Sequence, residues 1–393
     1  MSDRPVRLRL PGENRTRGAD MRPYRIAVPD EDLTDLADRL ARVRWAPEPA
    51  GGDTGYGVPL ARVRGLVEHW RRYDWRAWEA RLNAWPQFTT TIDGTNVHFL
   101  HVRSPEPDAL PLVLSHGWPG SVAEYLEVLG PLSDPRAHGL DPAVAFHLVV
   151  PSLPGFGFSG PTPDTGWGPA RIARAWAELM RRLGYEWYGA AGNDWGSGIT
   201  VDLGRLEPDR VVGAHVTQTW DPPPDDDPAW IEKLSPAERA VWDAMNHYFD
   251  NEAAYGMVQA QQPQTLAHAL ADSPVGLLGW NAQAMHHHGL DDEVLLTHVT
   301  IHWLTGTGGS AIRIYAEEGR EPRPDAPSVV PLGVSQFPGD LASVRSFAEH
   351  HHNVVAWTRH DRGGHYAASE VPELLVGDIR GLFREVRARR AVR

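Results

Sequence analysis

Three residues could carry chemistry together: Asp194, Asp340 and His365. Asp194 is the centre of Gly192-Asn193-Asp194-Trp195-Gly196. An apolar run, Tyr188 to Ala191, precedes it, and a helical pattern, Ser197 to Leu206, follows. A strand, a sharp turn with a glycine two residues either side of one reactive side chain, then a helix is the layout of a nucleophile elbow. The glycines suit a strained central residue whose neighbours must clear the following helix. The usual centre is Ser; an Asp there would be a carboxylate nucleophile. On the pentapeptide alone, an Asp capping the following helix fits equally well.

The partners of such a nucleophile come later in the chain. Asp340 follows an apolar run ending at Phe337, and His365 sits in Asp361-Arg362-Gly363-Gly364-His365-Tyr366. Nucleophile, acid and histidine then occur in the α/β-hydrolase order. His365 would activate water, and Asp340 would fix its tautomer. A helix cap competes for Asp340, because Leu341-Ala342-Ser343-Val344 follows it. Upstream, His116-Gly117-Trp118-Pro119-Gly120-Ser121 closes another apolar run. The backbone N–H groups of Trp118 and Trp195 could form an oxyanion hole.

The elements needed to position these residues are legible. Gln87 to Ile92 and Thr95 to Val102 form strands joined by a turn at Asp93-Gly94. Leu112 to Ser115, Val144 to Pro151, Tyr188 to Ala191 and Val211 to Val216 are further strands. Ile172, Trp176, Leu179, Met180 and Leu183 share one helical face between them. Strand character returns at Val329 to Phe337 and Asn353 to Trp357, and a last helix carries Leu374, Leu375, Ile379, Leu382, Phe383 and Val386. The alternation predicts α/β class, with a mainly parallel sheet covered on both faces. Ligands of such sheets bind at the carboxyl ends of the strands. The Gly-rich stretches lie there, and that agreement favours the elbow over the cap.

Five segments follow. Residues 1–21 are expected to be a disordered tail. Residues 22–86 form an N-terminal helical meander, with apolar stripes at Leu33, Leu36, Ala37, Leu40 and Val43, at Leu60, Val63, Val67 and Trp70, and, after a cap at Asp74, at Trp75, Trp78, Leu82 and Trp85. Its aromatics are expected to pack against a larger body. Residues 87–220 and 328–393 are expected to be the two parts of one α/β core, and 221–327 a helical cap inserted between them.

Composition excludes several functions. With 393 residues, 41 % of them apolar, and 16 Trp, the chain can bury a large core. The net charge of −13 argues against nucleic-acid binding. There is no Cys, so disulfides, thiolate metal sites and Cys nucleophiles are absent. No stretch is long and apolar enough for a membrane span, and the polar, Arg-rich N-terminus is no secretory signal; a cytoplasmic protein is expected. Neither a metal nor an organic cofactor is expected, since adjacent histidines such as His286 to His288 and His350 to His352 rarely converge on one ion. Lys233 is the only Lys among many Arg, which suggests a GC-rich genome; a bacterial source of that kind would suit secondary metabolism, antibiotic pathways included.

Taken together, His-Gly-Trp-Pro at 116–119, the Asp-Trp-Gly elbow at 194–196 and Arg-Gly-Gly-His at 362–365 resemble epoxide hydrolases of the microsomal type. Asp74-Trp75-Arg76 and Pro86-Gln87-Phe88 are similar to the meander of that family, and Asp272-Ser273-Pro274-Val275-Gly276-Leu277 and Pro372-Glu373-Leu374-Leu375 are further family-like strings. The resemblance implies an α/β-hydrolase fold and conversion of an epoxide to a vicinal diol through an ester of Asp194, with no cofactor. It also implies two cap tyrosines over the nucleophile, and Tyr255 and Tyr315 match them. Membrane-bound relatives carry an N-terminal anchor that this chain lacks, so a soluble form is expected; some relatives have Glu where Asp340 stands. The implied partners are a small-molecule epoxide and water, and a homodimer is the assembly left open. A haloalkane dehalogenase would share the Asp nucleophile, and a non-catalytic α/β-hydrolase-like binding protein would share the fold. Tyrosine hydroxyls favour an epoxide; a second halide donor from Trp or Asn would favour a halide. A serine esterase would need a Gly-x-Ser-x-Gly that is not present.

Overall fold

In the computed structural model, residues 21–51, 54–285, 290–321 and 326–391 are described. The tail expected at 1–21 therefore lies outside them except for Met21, and so does the His286 to His288 run.

Nine strands form one sheet: β1 (Arg22–Tyr24), β2 (Gln87–Ile92), β3 (Thr95–Val102), β4 (Leu110–Ser115), β5 (Phe146–Pro151), β6 (Tyr188–Gly192), β7 (Val211–Val216), β8 (Ser328–Gln336) and β9 (His352–Arg359). Their order is β1-β2-β3-β5-β4-β6-β7-β8-β9. The pairs from β5 through β9 are parallel, and the β1-β2, β2-β3 and β3-β5 pairs are antiparallel. The sheet is thus mainly parallel, as the alternation of elements predicts. The strand β1 corrects the expectation of a purely helical N-terminal meander. Three residues leave no periodicity to read, and the strand pairs antiparallel with the edge that β2 offers.

Successive strand residues point to opposite faces, and the core divides accordingly. Val113 and Val149 join Trp176, Ile199 and Leu203 on one face. Leu112, Leu114, Leu148 and Val150 join Leu129, Ile379, Leu382 and Phe383 on the other. Helices Pro169–Arg182 and Trp195–Leu206 cover the first face, and Leu126–Ser133 and Pro372–Ala391 the second. Gly189 in β6 makes room for Phe383: a Cβ there would lie 2.4 Å from its Cζ. The elbow helix starts at Trp195 rather than Ser197, directly after Asp194.

The N-terminal helices Asp30–Ala41, Leu60–Trp70 and Trp75–Leu82 do pack against a larger body, namely helices inserted between β7 and β8. The indole of Trp70 donates to Thr300 Oγ1 (2.8 Å), that of Trp78 to Glu293 Oε1 (2.9 Å), and Tyr73 OH lies 2.8 Å from Thr297 Oγ1. Arg62 and Asp292 form an ion pair at 2.5 Å. These bonds all reach helix Asp292–Leu304, so the meander ties the insertion to the sheet edge. The second helix buries Leu66, Val67 and Trp70; Leu60 and Val63 are only half-buried, because its N-terminal turn lies at the rim. Val43 and Trp85 fall beyond their helices.

Phe383 is fully buried and meets Phe146 edge-on at 5.5 Å. Phe383→Ala should therefore lose about 3–5 kcal/mol of stability. The midpoint of urea denaturation measures this; an unchanged midpoint would show that the helix does not depend on that contact.

Candidate active site

Strand ends build the site. The backbone of Asp194 has φ +54°, in the left-handed region that an L-residue seldom adopts. Its flanking glycines are there for close approach. A Cβ at Gly196 would lie 1.8 Å from the carbonyl oxygen of Ser115, and one at Gly192 2.1 Å from that of Gly196. The Asp194 side chain does not cap the helix that follows. Its Oδ1 instead accepts the backbone N–H of Trp118, from the end of β4, at 2.8 Å. The helix-cap alternative for this residue is thereby removed.

Asp340 is no helix cap either. The chain runs irregularly from Phe337 to Val344, and the next helix starts at Arg345. Gly339 pairs in parallel with Gly364, and the N–H of Gly339 donates to the carbonyl of Gly363 at 3.0 Å. The loops after β8 and β9 are thus tied together one residue from each functional side chain. Across that tie, His365 Nδ1 lies 2.8 Å from Asp340 Oδ1. The carboxylate oxygen accepts, so Nδ1 donates in this bond. The His365 Nε2 is 3.7 Å from Asp194 Oδ2, longer than a hydrogen bond.

Charge and burial act against each other here. Burial raises the Asp194 carboxyl, the charge of His365 and the N–H groups of Trp195 and Trp118 lower it, and Asp340 raises it again, leaving it at about 6. Burial lowers the His365 imidazole, but the charge and hydrogen bond of Asp340, then the charges of Asp194 and Glu124, raise it to about 9. At neutral pH Asp194 is ionised and His365 is protonated.

Tyr255 and Tyr315 come from the inserted helices Ala254–Gln261 and Ile314–Glu318. The side chains of Trp118 and Trp195 hold them. Tyr255 stacks on Trp118 (5.2 Å between centroids), and Tyr315 meets Trp118 and Trp195 edge-on at 5.6 and 4.7 Å. Burial raises both phenols well above their usual range, and the nearby Asp194 charge adds to this. Both stay protonated. A cavity of about 270 Å³ on the side of the elbow helix is lined in part by Asp194, Trp195, Gln218 and Trp220; Trp118, His365 and the two tyrosines do not line it.

Several neighbours went unmarked in the sequence. Tyr248 OH lies 2.7 Å from Tyr255 OH. Asn193 Nδ2 donates to Glu124 Oε1 (2.9 Å) and to the His365 carbonyl (2.8 Å). Burial raises Glu124 to about 8, although Asn193 and His365 pull it down. Gln218 touches both Asp194 and Asp340. Of these, only Gln218 had a signal: it lies two residues past the end of β7, where strand ends point into the site. His350 to His352 diverge. His350 meets the Trp230 ring, His351 bonds the Pro222 carbonyl (3.1 Å), and His352 pairs with Asp221 (2.8 Å).

Known proteins resemble this chain over most of its length. The family model for the epoxide hydrolase N terminus matches residues 21–125, and that for the alpha/beta hydrolase fold matches residues 111–255. The chain is 42 % identical over 379 residues to a putative epoxide hydrolase of Stigmatella aurantiaca, covering 93 % of this chain and 86 % of that one. It is 32 % identical over 404 residues to juvenile hormone epoxide hydrolase 2 of Ctenocephalides felis, covering 94 % and 86 %. The structure of Aspergillus niger epoxide hydrolase superposes with a TM-score of 0.84 at 35 % identity, covering 93 % of this chain and 96 % of that one.

Two glycines of the elbow helix should respond oppositely to a methyl group. Gly196→Ala drives a Cβ into the Ser115 carbonyl and should destabilise by more than about 3 kcal/mol. Gly198 has nothing within 4 Å, so Gly198→Ala should be neutral or gain up to about 1 kcal/mol from helix propensity. Thermal midpoints of the two variants test this; equal midpoints would mean that the elbow is not closely packed.

Proposed function

The chain belongs to the epoxide hydrolase family and is an enzyme that hydrolyses epoxides on an α/β-hydrolase fold, and we propose that it does so through a covalent ester on Asp194. The observation that carries this reading is the asymmetric setting of the Asp194 carboxylate. One oxygen is held by the Trp118 N–H at 2.8 Å, and the other faces His365 Nε2 at 3.7 Å.

An epoxide carbon is sp³ and is opened by in-line displacement, for which an ionised carboxylate serves. Asp194 Oδ2 attacks the carbon, the carbon–oxygen bond of the ring breaks, and the departing oxygen takes a proton from the phenol of Tyr255 or Tyr315. The inserted helices act as a cap that supplies these hydroxyls from the side opposite the elbow. The product is an ester in which Oδ1 is the carbonyl oxygen, already resting on the Trp118 N–H.

Forming the ester removes a negative charge. Asp194 is one of the charges that raise His365, so its esterification lowers the imidazole just when a base is needed. The imidazolium gives up its proton, which restores the phenol; neutral His365 then takes a proton from water, which attacks the Asp194 carbonyl carbon. The oxyanion forms on Oδ1 against the N–H groups of Trp118 and Trp195. Asp340 stabilises the imidazolium. Collapse breaks the bond from the carbonyl carbon to Oδ2, the departing Oδ2 takes the proton of the imidazolium to give a vicinal diol, and the acid proton left on Asp194 returns to His365. No metal or organic cofactor takes part in this scheme.

The two tyrosines support an epoxide over a haloalkane, because an alkoxide needs a proton and a halide does not. The aromatic walls formed by Trp118, Trp195 and the tyrosines support an aryl epoxide as substrate. The Arg-rich composition with one Lys supports a GC-rich bacterial source and, with it, a setting in secondary metabolism.

His365→Gln should form the ester and then stall, so that a peptide containing Asp194 gains the mass of the substrate. Tyr255→Phe/Tyr315→Phe should instead slow ester formation by about 10²-fold or more, the usual weight of general acid catalysis. Peptide mass spectrometry after rapid quenching reads both. Fast multiple turnover by His365→Gln would remove that residue from the role of base, and unimpaired ring opening by the double variant would remove the tyrosines from theirs.

A further inference from the structure

We infer that Gln218 is a positioning residue for both halves of the reaction: its carbonyl oxygen fixes the backbone of the nucleophile, and its amide fixes the acid of the Asp340–His365 pair. This rests on the reading of Asp194 as an ester-forming nucleophile.

Gln218 is fully buried, 1 % exposed, two residues past the end of β7. Its Oε1 accepts the backbone N–H of Asp194 (3.0 Å) and the hydroxyls of Ser197 (3.1 Å) and Thr217 (2.5 Å). Its Nε2 donates to Asp340 Oδ2 at 2.7 Å and lies 3.1 Å from His365 Nδ1. The orientation of the amide is fixed by these partners. Turned over, it would set N–H against the Asp194 N–H and a carbonyl oxygen against a carboxylate, and both contacts would be repulsive.

The two oxygens of Asp340 are thereby divided. Oδ1 takes the His365 proton and the Leu341 N–H, at 2.8 Å each, and Oδ2 takes Gln218. With Oδ2 anchored, the carboxylate cannot swing its plane away from the imidazole. At the other end, the Asp194 N–H belongs to a residue held at positive φ, where a lost hydrogen bond would let the elbow relax. The position needs one acceptor end and one neutral donor end, separated by the length of an amide. Glu keeps the acceptor but sets a carboxyl against Asp340. Met, of similar length, keeps neither.

Substitution should therefore alter the chemistry as well as the stability. His365 faces Asp194, Asp340, Glu124 and Glu370. An added carboxylate beside Asp340 raises the imidazole further, so more alkaline solution is needed to free the base.

Single-turnover mixing with styrene oxide, an acid quench and mass analysis of the Asp194 peptide separate ester formation from ester hydrolysis. Wild type, Gln218→Glu and Gln218→Met are compared across pH. In Gln218→Glu, ester formation should stay within about threefold of wild type while hydrolysis slows by about tenfold at neutral pH, with its midpoint moved up by about one pH unit. In Gln218→Met, which keeps neither contact, ester formation and hydrolysis should both slow, by unequal factors and without that upward shift, and this variant carries the test if Gln218→Glu does not fold. An NMR titration of the His365 ring gives a second readout of the same shift. The assignment is overturned if hydrolysis keeps its rate and pH midpoint in both variants, or if formation and hydrolysis fall by one common factor with the midpoint unmoved, as simple damage to the fold would produce. No ester on wild-type Asp194, with diol still formed, would overturn the proposed mechanism itself and this assignment with it.

Discussion

Two carboxylates share one imidazole inside a closed site, and the surrounding structure serves to keep that arrangement charged. Side chains of Asp194, Asp340 and His365 are 9 %, 4 % and 9 % exposed. An unpaired carboxylate at such depth would take up a proton and cease to be a nucleophile. Asp194 is kept ionised at neutral pH by the N–H groups of Trp118 and Trp195 and by the imidazolium beside it. These partners come from the ends of β4, β6 and β9, and Asp340 comes from the end of β8. Only a parallel arrangement brings so many strand ends to one place.

The rest of the molecule follows from holding those ends fixed. The glycines of the elbow let the helix at Trp195 approach β4 closely enough for the Trp118 N–H to reach a side chain. The Gly339–Gly364 bridge ties the two loops that carry Asp340 and His365. Trp118 and Trp195 act twice, with backbone amides on the Asp194 carboxylate and rings against the tyrosines. The N-terminal helices, through Trp70, Tyr73 and Trp78, hold helix Asp292–Leu304 in the insertion, which brings Tyr315 and Tyr255 over the sheet.

Much of this was legible in the sequence because it is written in local patterns. The glycines around Asp194 and before His365, and the turn at Asp93-Gly94, state backbone requirements that need no tertiary knowledge. Apolar strands ending in glycine-rich turns pointed to Trp118, Asp340 and His365. What was not legible depends on convergence. Asn193 and Glu124 are single polar residues without periodicity, Gln218 is marked only by its place past β7, and the importance of all three lies in which distant atoms they meet. β1 has too few residues to show a pattern. Tyr255 and Tyr315 lie on short helices whose placement no spacing rule gives, so they entered through family resemblance alone.

The most direct test of the account is a single turnover in ¹⁸O-water with enzyme in excess over epoxide. The ester mechanism sends the oxygen of water into the Asp194 carboxylate and the unlabelled Oδ2 into the diol. Mass analysis should find ¹⁸O in the peptide containing Asp194, and none in the first-formed diol. Label in that diol, with an unlabelled Asp194, would mean that water attacks the epoxide directly and that Asp194 is not the nucleophile.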